Sequence, residues 1–249
     1  KLTNKILMIV KVLTFISTLL LVICYPYLPK RQMLLHPNEQ NTYAIAVDSE
    51  VGGQSKFIWI NQQDMFWDCE INQGAAYPYC GLSLLWSQDL HKTIDFSAYS
   101  HLSLTLDYQG PTPYFRVFIR DDYPSDKYTN ALKRAKFNNI TIRARQGEQQ
   151  VSIPLTELSV AEWWFNDFAV PLENRRPSVK NTIALGIDIP YPVILGEHKF
   201  RLSRIELVGS YFSKEIMYIS ILVFWGTLLI LEMLLAYLNM QVRLRDGKQ

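Results

Sequence analysis

Apolar residues follow two different patterns along this chain. At the ends they are nearly continuous, over residues 6–28 and again over 216–240. Each run matches the roughly 20 residues that a helix needs to cross about 30 Å of hydrocarbon. Between them the apolar positions come in short or alternating stretches. Strands are predicted at 43–47, 57–60, 102–108, 114–120, 137–145, 150–153, 183–189 and 200–208. In 102–108, Leu102, Leu104 and Leu106 alternate with Ser103, Thr105 and Asp107, a period of two that buries one face and wets the other. Turn signals divide the stretches: Gly52-Gly53, Gly110-Pro111, Gln146-Gly147-Glu148, Tyr191-Pro192 and Gly196-Glu197. The interior offers only short helical segments, around 154–160 and 171–174. The expected class is therefore mainly β, a jelly-roll or β-sandwich domain flanked by two transmembrane α-helices. The expected bounds are 6–28 and 214–240 for the helices, 35–210 for the domain, and 241–249 for the start of a stalk.

The first run has a competing reading, because Lys1 and Lys5 before an apolar stretch also suit a signal peptide. Cys24-Tyr25-Pro26-Tyr27 makes a poor small-residue cleavage site, which favours an uncleaved anchor. Lys11 has the reach to snorkel towards headgroups, and Tyr25, Tyr27 and Trp225 are expected in an interfacial belt. Arg243, Arg245 and Lys248 after the second run, with Lys1 and Lys5 before the first, put both termini inside; Lys30 and Arg31 argue the other way. Glu232 lies inside the second run, where a charge is costly. It is expected to be protonated, to meet a partner across a helix dimer, or to reach the cytoplasmic interface. Gly209, Ser210 and Ser213 mark a short junction between the last strand and this helix, suited to signal relay. Apolar residues at 238, 240, 242 and 244 allow a stalk, although they alternate and do not follow a heptad.

Chemistry is sparse. The net charge of +2, without blocks of like charge, gives no case for nucleic acid. Cys69 and Cys80 flank a segment rich in Gly, Ala, Pro and Tyr. They are read as a disulfide of an oxidising compartment or as two unrelated buried thiols; Cys24 sits within the first run. His36, His91, His101 and His198 are dispersed, no metal site is expected, and HExxH, Walker, GxSxG and Rossmann patterns are absent. Asp121, Asp122 and Asp126 read as a solvated turn in preference to a cation loop. Asp188 and Glu206 are expected at the surface, with a cleft position as the alternative. Aromatic residues are abundant. Trp59, Trp67, Trp86, Trp163, Trp164 and Tyr114 are the candidates for ligand stacking, and core packing or a protein interface are the competing roles. Tyr123 and Tyr128 add to the group. No catalytic residue is assigned.

Several stretches resemble a known family. The segment 94–106, with Phe96 and Tyr99 before the Leu102 strand, looks like the opening of carbohydrate-binding-module-like jelly rolls, and 151–164, 183–189 and 200–209 continue the pattern. A jelly roll with one membrane helix on each side resembles the sensory half of bacterial membrane-bound diguanylate cyclases of the GGDEF type, with Val160-Ala161-Glu162-Trp163-Trp164 as the most family-like piece. The GGDEF signature is absent from these residues. The resemblance implies a cytoplasmic cyclase domain beyond Gln249, using GTP and Mg²⁺ to make cyclic di-GMP as a homodimer. A chain that opens on Lys1 and stops at Gln249, nine residues past the second run, is expected to be part of a longer protein.

The function expected is a signal-input module in a bacterial inner membrane. The central domain would be periplasmic and both termini cytoplasmic, with a small molecule, glycan or protein as the sensed partner. The rivals are a structural subunit of an envelope assembly and the input half of another receptor, such as a histidine kinase.

Overall fold

The structure, a computed structural model, describes the backbone of residues 2–35 and 42–246 and the side chains of 8–35, 42–238, 240 and 241. His36 and the side chains of Lys1, Lys5, Arg243, Arg245 and Lys248, on which part of the orientation rests, lie outside the described residues.

The described chain divides into two units, Arg31–Gly209 and a second made of Lys1–Lys30 with Ser210–Gln249. The first unit is a two-layer β-sandwich. One sheet holds β1 (Lys30–Leu34), β3 (Lys56–Asn61), β4 (Phe66–Ile71), β6 (His101–Gln109), β9 (Gly147–Pro154) and β12 (Gly196–Ser210). Its order is β3-β4-β12-β6-β9, with β1 also on β12. The other holds β2 (Thr42–Val47), β5 (Cys80–Leu85), β7 (Tyr114–Asp121), β8 (Lys136–Arg143), β10 (Ser159–Val160) and β11 (Thr182–Asp188), in the order β10-β8-β7-β11-β5-β2. The mainly β class is as the alternation predicts.

The core lies between the sheets. Leu102, Leu104, Leu106 and Tyr108 of β6 are fully buried, as are Phe115, Val117 and Ile119 of β7, each at every second position because side chains alternate across a strand. Cys69 of β4 and Cys80 of β5 form a disulfide with a Cα–Cα separation of 5.7 Å. Since β4 and β5 belong to different sheets, the bond staples the two layers together.

Strands β1, β4, β5 and β10 escape the sequence reading. Every residue of β5 (Cys-Gly-Leu-Ser-Leu-Leu) is buried, so it shows no period of two; β4 does alternate, with Trp67, Cys69 and Ile71 against Asp68 and Glu70, but over only six residues. Over 154–160 the expected helix is a single 3₁₀ turn, Leu155–Glu157, followed by β10. Two short helices appear, α2 (Ala131–Arg134) and α3 (Glu162–Phe168); at two turns or fewer, they are too brief to display a 3.6-residue period. The acidic cluster is a solvated turn only at Asp126, which is exposed. Asp121 is buried and accepts from the Asn181 amide at 2.7 Å, while Asp122 accepts from Arg134 Nε at 3.0 Å.

The second unit contains α1 (Leu2–Cys24), a 3₁₀ turn at Tyr25–Tyr27, and α4 (Lys214–Asp246). Both helices are long and apolar enough to span a membrane. Phe15, Leu20, Leu229 and Ile230 are each more than half exposed, and apolar surface of this extent calls for a lipid or protein covering. The hydroxyls of Thr14, Thr18 and Thr227 donate back to the carbonyls of Val10, Thr14 and Val223, which satisfies them without water. Ser213 Oγ accepts the Ile216 amide at 3.2 Å and caps the start of α4. The helix then continues unbroken through residues 241–246, so the stalk expected past the apolar run is helical that far.

Candidate binding face

The outer surface of the second sheet carries an unusual set of side chains. Phe115, Val117 and Ile119 face the core, so Arg116, Phe118 and Arg120 face out. Strand register then places residues in rows across the sheet. One row runs Ala44, Ser83, Gly186, Phe118, Asn139 and Ser159. A second joins Gly81, Asp188, Arg116 and Thr141, and a third joins Leu85, Ala184, Arg120 and Phe137. The β2, β5 and β11 half of the face is mostly small, and the bulk rises from β7 and β8. Gly186 is required here: a Cβ would lie 2.1 Å from Phe118 Cζ, so the glycine leaves the floor on which that ring rests.

The polar and aromatic groups interlock. Arg116 donates through Nε and Nη2 to the two oxygens of Asp188, at 2.8 and 2.6 Å, a bidentate pair. Burial pushes the Asp188 carboxyl up, opposed by the hydrogen bonds and charge of Arg116 and by the charge of Arg120. Phe118 stacks on Phe137 with ring centres 4.8 Å apart, and Trp163 of α3 leans against Phe137 at 5.5 Å. The guanidinium carbons of Arg120 and Arg116 lie 4.3 and 5.0 Å from the Phe137 ring centre, within cation–π range. Burial brings Arg120 down to about 10, still a cation at neutral pH. Although they point away from the core, Phe118 and Phe137 are only 5% and 4% exposed, so the middle of the face is sheltered.

The aromatic candidates fall in different places. Trp163 and Tyr114 are about half exposed, at 49% and 48%. Tyr114 begins β7, about 20 Å along the strand from Arg120 at 3.3 Å per residue. Trp164 is buried, stacked on Phe168 at 4.9 Å, with its Nε1 donating to the Arg134 carbonyl. Adjacent residues on a helix point about 100° apart, and this sends Trp163 to the sheet face and Trp164 inward. Trp67 stacks on Phe200 at 5.4 Å in the core, and Trp86 lies beside Phe96, both buried. Trp59 is half-buried on β3, edge-on to Tyr43 and Phe57. The six do not converge on one site. Asp188 lies on the outer face with Arg116, while Glu206 pairs with Arg204 on the first sheet. Among the described residues no group of His, Cys, Asp and Glu is arranged to hold a metal.

Gly209, expected at the relay junction, sits where a Cβ would lie 2.9 Å from Tyr99 Cα, and Ser210 ends β12. Glu232 meets Lys11 of α1 in the same chain, at 2.7 Å. Trp225 departs from the interfacial belt: it lies near the middle of α4, and its Nε1 donates to Thr18 Oγ1 at 3.3 Å.

No family model matches this chain, and no curated protein does. Among solved structures it is similar to a family 11 carbohydrate-binding module from Clostridium thermocellum, in complex with a β-1,3-1,4-mixed-linked tetrasaccharide. The identity is 13% over 72% of this chain and 96% of that one, with a TM-score of 0.47. It is also similar to a family 30 carbohydrate-binding module of a cellulosomal cellulase from the same organism, at 11% identity over 74% and 99% of the chains and a TM-score of 0.44.

Proposed function

We propose that the sandwich is the extracytoplasmic sensing domain of a two-pass membrane receptor and binds a glycan on the outer face of its second sheet. The single observation that carries this reading is the set Arg116, Arg120, Asp188, Phe137 and Trp163. It sets the half-exposed ring of Trp163, a surface for stacking, beside the Arg120 cation, on a platform made by the buried Phe137 ring and the Arg116–Asp188 pair. The inter-sheet disulfide agrees with an oxidising periplasm, and the two apolar helices suit anchorage in a bacterial inner membrane. In this reading α4 passes the signal to a diguanylate cyclase domain beyond Gln249, which forms cyclic di-GMP from GTP with Mg²⁺ as a homodimer. Relay requires a ligand that favours one of two helix arrangements, because equal affinity for both shifts nothing.

The test is made on the full-length protein in lipid nanodiscs. Binding of an oligosaccharide library is read by Trp fluorescence, and cyclic di-GMP production is read with and without each hit. Binding that is lost in the Trp163→Ala variant, with an accompanying change in cyclase rate, supports the proposal. A full-length protein with no cyclase activity removes the output half and favours a structural subunit or another receptor. Binding that survives Trp163→Ala and Arg116→Ala together removes this face.

A further inference from the structure

We infer that the face selects an acidic glycan, whose carboxylate docks on Arg120. The inference rests on the glycan reading of this face and narrows it. Both oxygens of Asp188 are occupied by Arg116, at 2.8 and 2.6 Å, so the only carboxylate in the cluster is already engaged. Arg120 forms no hydrogen bond and no ion pair with any described residue, although a guanidinium carries five N–H donors. Its guanidinium carbon lies 4.3 Å from the Phe137 ring centre and 5.8 Å from that of Trp163, contacts that position the cation without supplying an acceptor for its N–H donors.

The cross-strand neighbours of Arg120 are Ala184 and Phe137, neither of which accepts a hydrogen bond through its side chain. Two arginines set against one aspartate leave the cluster with one positive charge in excess. A partly desolvated, pre-oriented cation with idle donors is matched best by a planar anion with two oxygens. A neutral hydroxyl would use one donor and leave the charge uncompensated. Trp163, half exposed beside the same guanidinium, supplies a stacking surface for the sugar ring that carries the acid. A uronate residue combines the two features.

The experiment compares oligogalacturonate with its methyl ester, which keeps the ring and loses the charge, on the full-length protein in nanodiscs. Neutral cello-oligosaccharide and inorganic phosphate serve as further probes. The acid is expected to bind at least about tenfold more tightly than the ester, with affinity falling as salt rises. Arg120→Gln should bring acid and ester to the same weak affinity with little change in Tm. Should that variant not fold, the comparison of acid with ester on the native protein decides the matter. Equal affinity for acid and ester, or binding of cello-oligosaccharide alone, overturns the acidic preference and leaves the glycan reading standing. Phosphate binding without any sugar binding, or no binding by any of the four probes, overturns both.

Discussion

The Lys11–Glu232 pair allows a quantitative test of how the two apolar helices lie. Glu232 is eighteen residues beyond Lys214, a rise of about 27 Å at 1.5 Å per residue. From Lys11 the rest of α1 and the 3₁₀ turn to Tyr27 rise about 26 Å. The two distances agree, so with Lys214 and Tyr27 at one edge of a hydrocarbon slab about 30 Å thick the pair would lie a few ångströms inside the other edge. At that depth an unpaired charge costs less than the roughly 2.5–3.5 kcal/mol of the bilayer centre, and interhelical polar contacts in membranes average about 0.6 kcal/mol. A coupling of about 1 kcal/mol is therefore expected. In a double-mutant cycle on the protein in nanodiscs, Lys11→Met and Glu232→Gln should each lower stability. The double variant should lose less than the two losses combined, by about that coupling. The exchange Lys11→Glu with Glu232→Lys should recover most of the native stability. Singles that simply add, with a coupling below about 0.3 kcal/mol, would refute an interhelical ion pair within the membrane.

Three other expectations follow from the sandwich. His198 is buried, with Nδ1 3.0 Å from the Tyr108 hydroxyl and Nε2 2.8 Å from the Ile194 carbonyl; burial holds its pKa below 6.5. The unfolded chain therefore takes up the proton first, and stability present above pH 6.5 should fall as the pH drops towards the lowered native value. Tm recorded from pH 7.5 to 5.5 should show this decline, and a His198→Asn variant should lose that component. Gly186→Ala would drive a methyl into Phe118, costing about 1–3 kcal/mol in chemical denaturation and weakening any ligand held on the outer face; an unchanged midpoint would mean that the ring moves freely. Reducing the Cys69–Cys80 bond opens a loop whose ends are eleven residues apart. The loss should be about 2–3 kcal/mol, seen as a lower Tm with reductant and absent in a Cys69→Ser/Cys80→Ser protein.

The candidate face is only partly legible in the chain. Trp163 and Tyr114 stand out as aromatic candidates, and Asp188 as a cleft alternative, but nothing singles out Arg116, Arg120, Phe118 or Phe137. Arg116, Phe118 and Arg120 lie within a stretch that reads as an ordinary strand, and nothing local marks which of its faces is sheltered. The available signal is the small-residue pattern Gly81, Ser83, Ala184 and Gly186 at outward-pointing strand positions, which leaves space for a side chain such as Phe118 to lie over the sheet. Trp67, Trp86 and Trp164 could not be told from Trp163 by composition, since burial depends on which strand or helix face each occupies.

What the sequence determined by itself is what repeats at short range. Alternation in 102–108 and its fellows specifies strands, and two long apolar runs specify helices that water cannot hold, because both signals depend only on spacing along the chain. Everything that depends on which strand lies beside which was decided by the tertiary structure. Cys69 and Cys80 join two sheets, Glu232 finds Lys11 on the other helix, and Asp188 meets Arg116 across neighbouring strands. The Arg116–Asp188 pair links residues 72 positions apart, and the helix pair links residues 221 apart. At such separations the partner is chosen by strand order and packing, which short-range spacing does not encode.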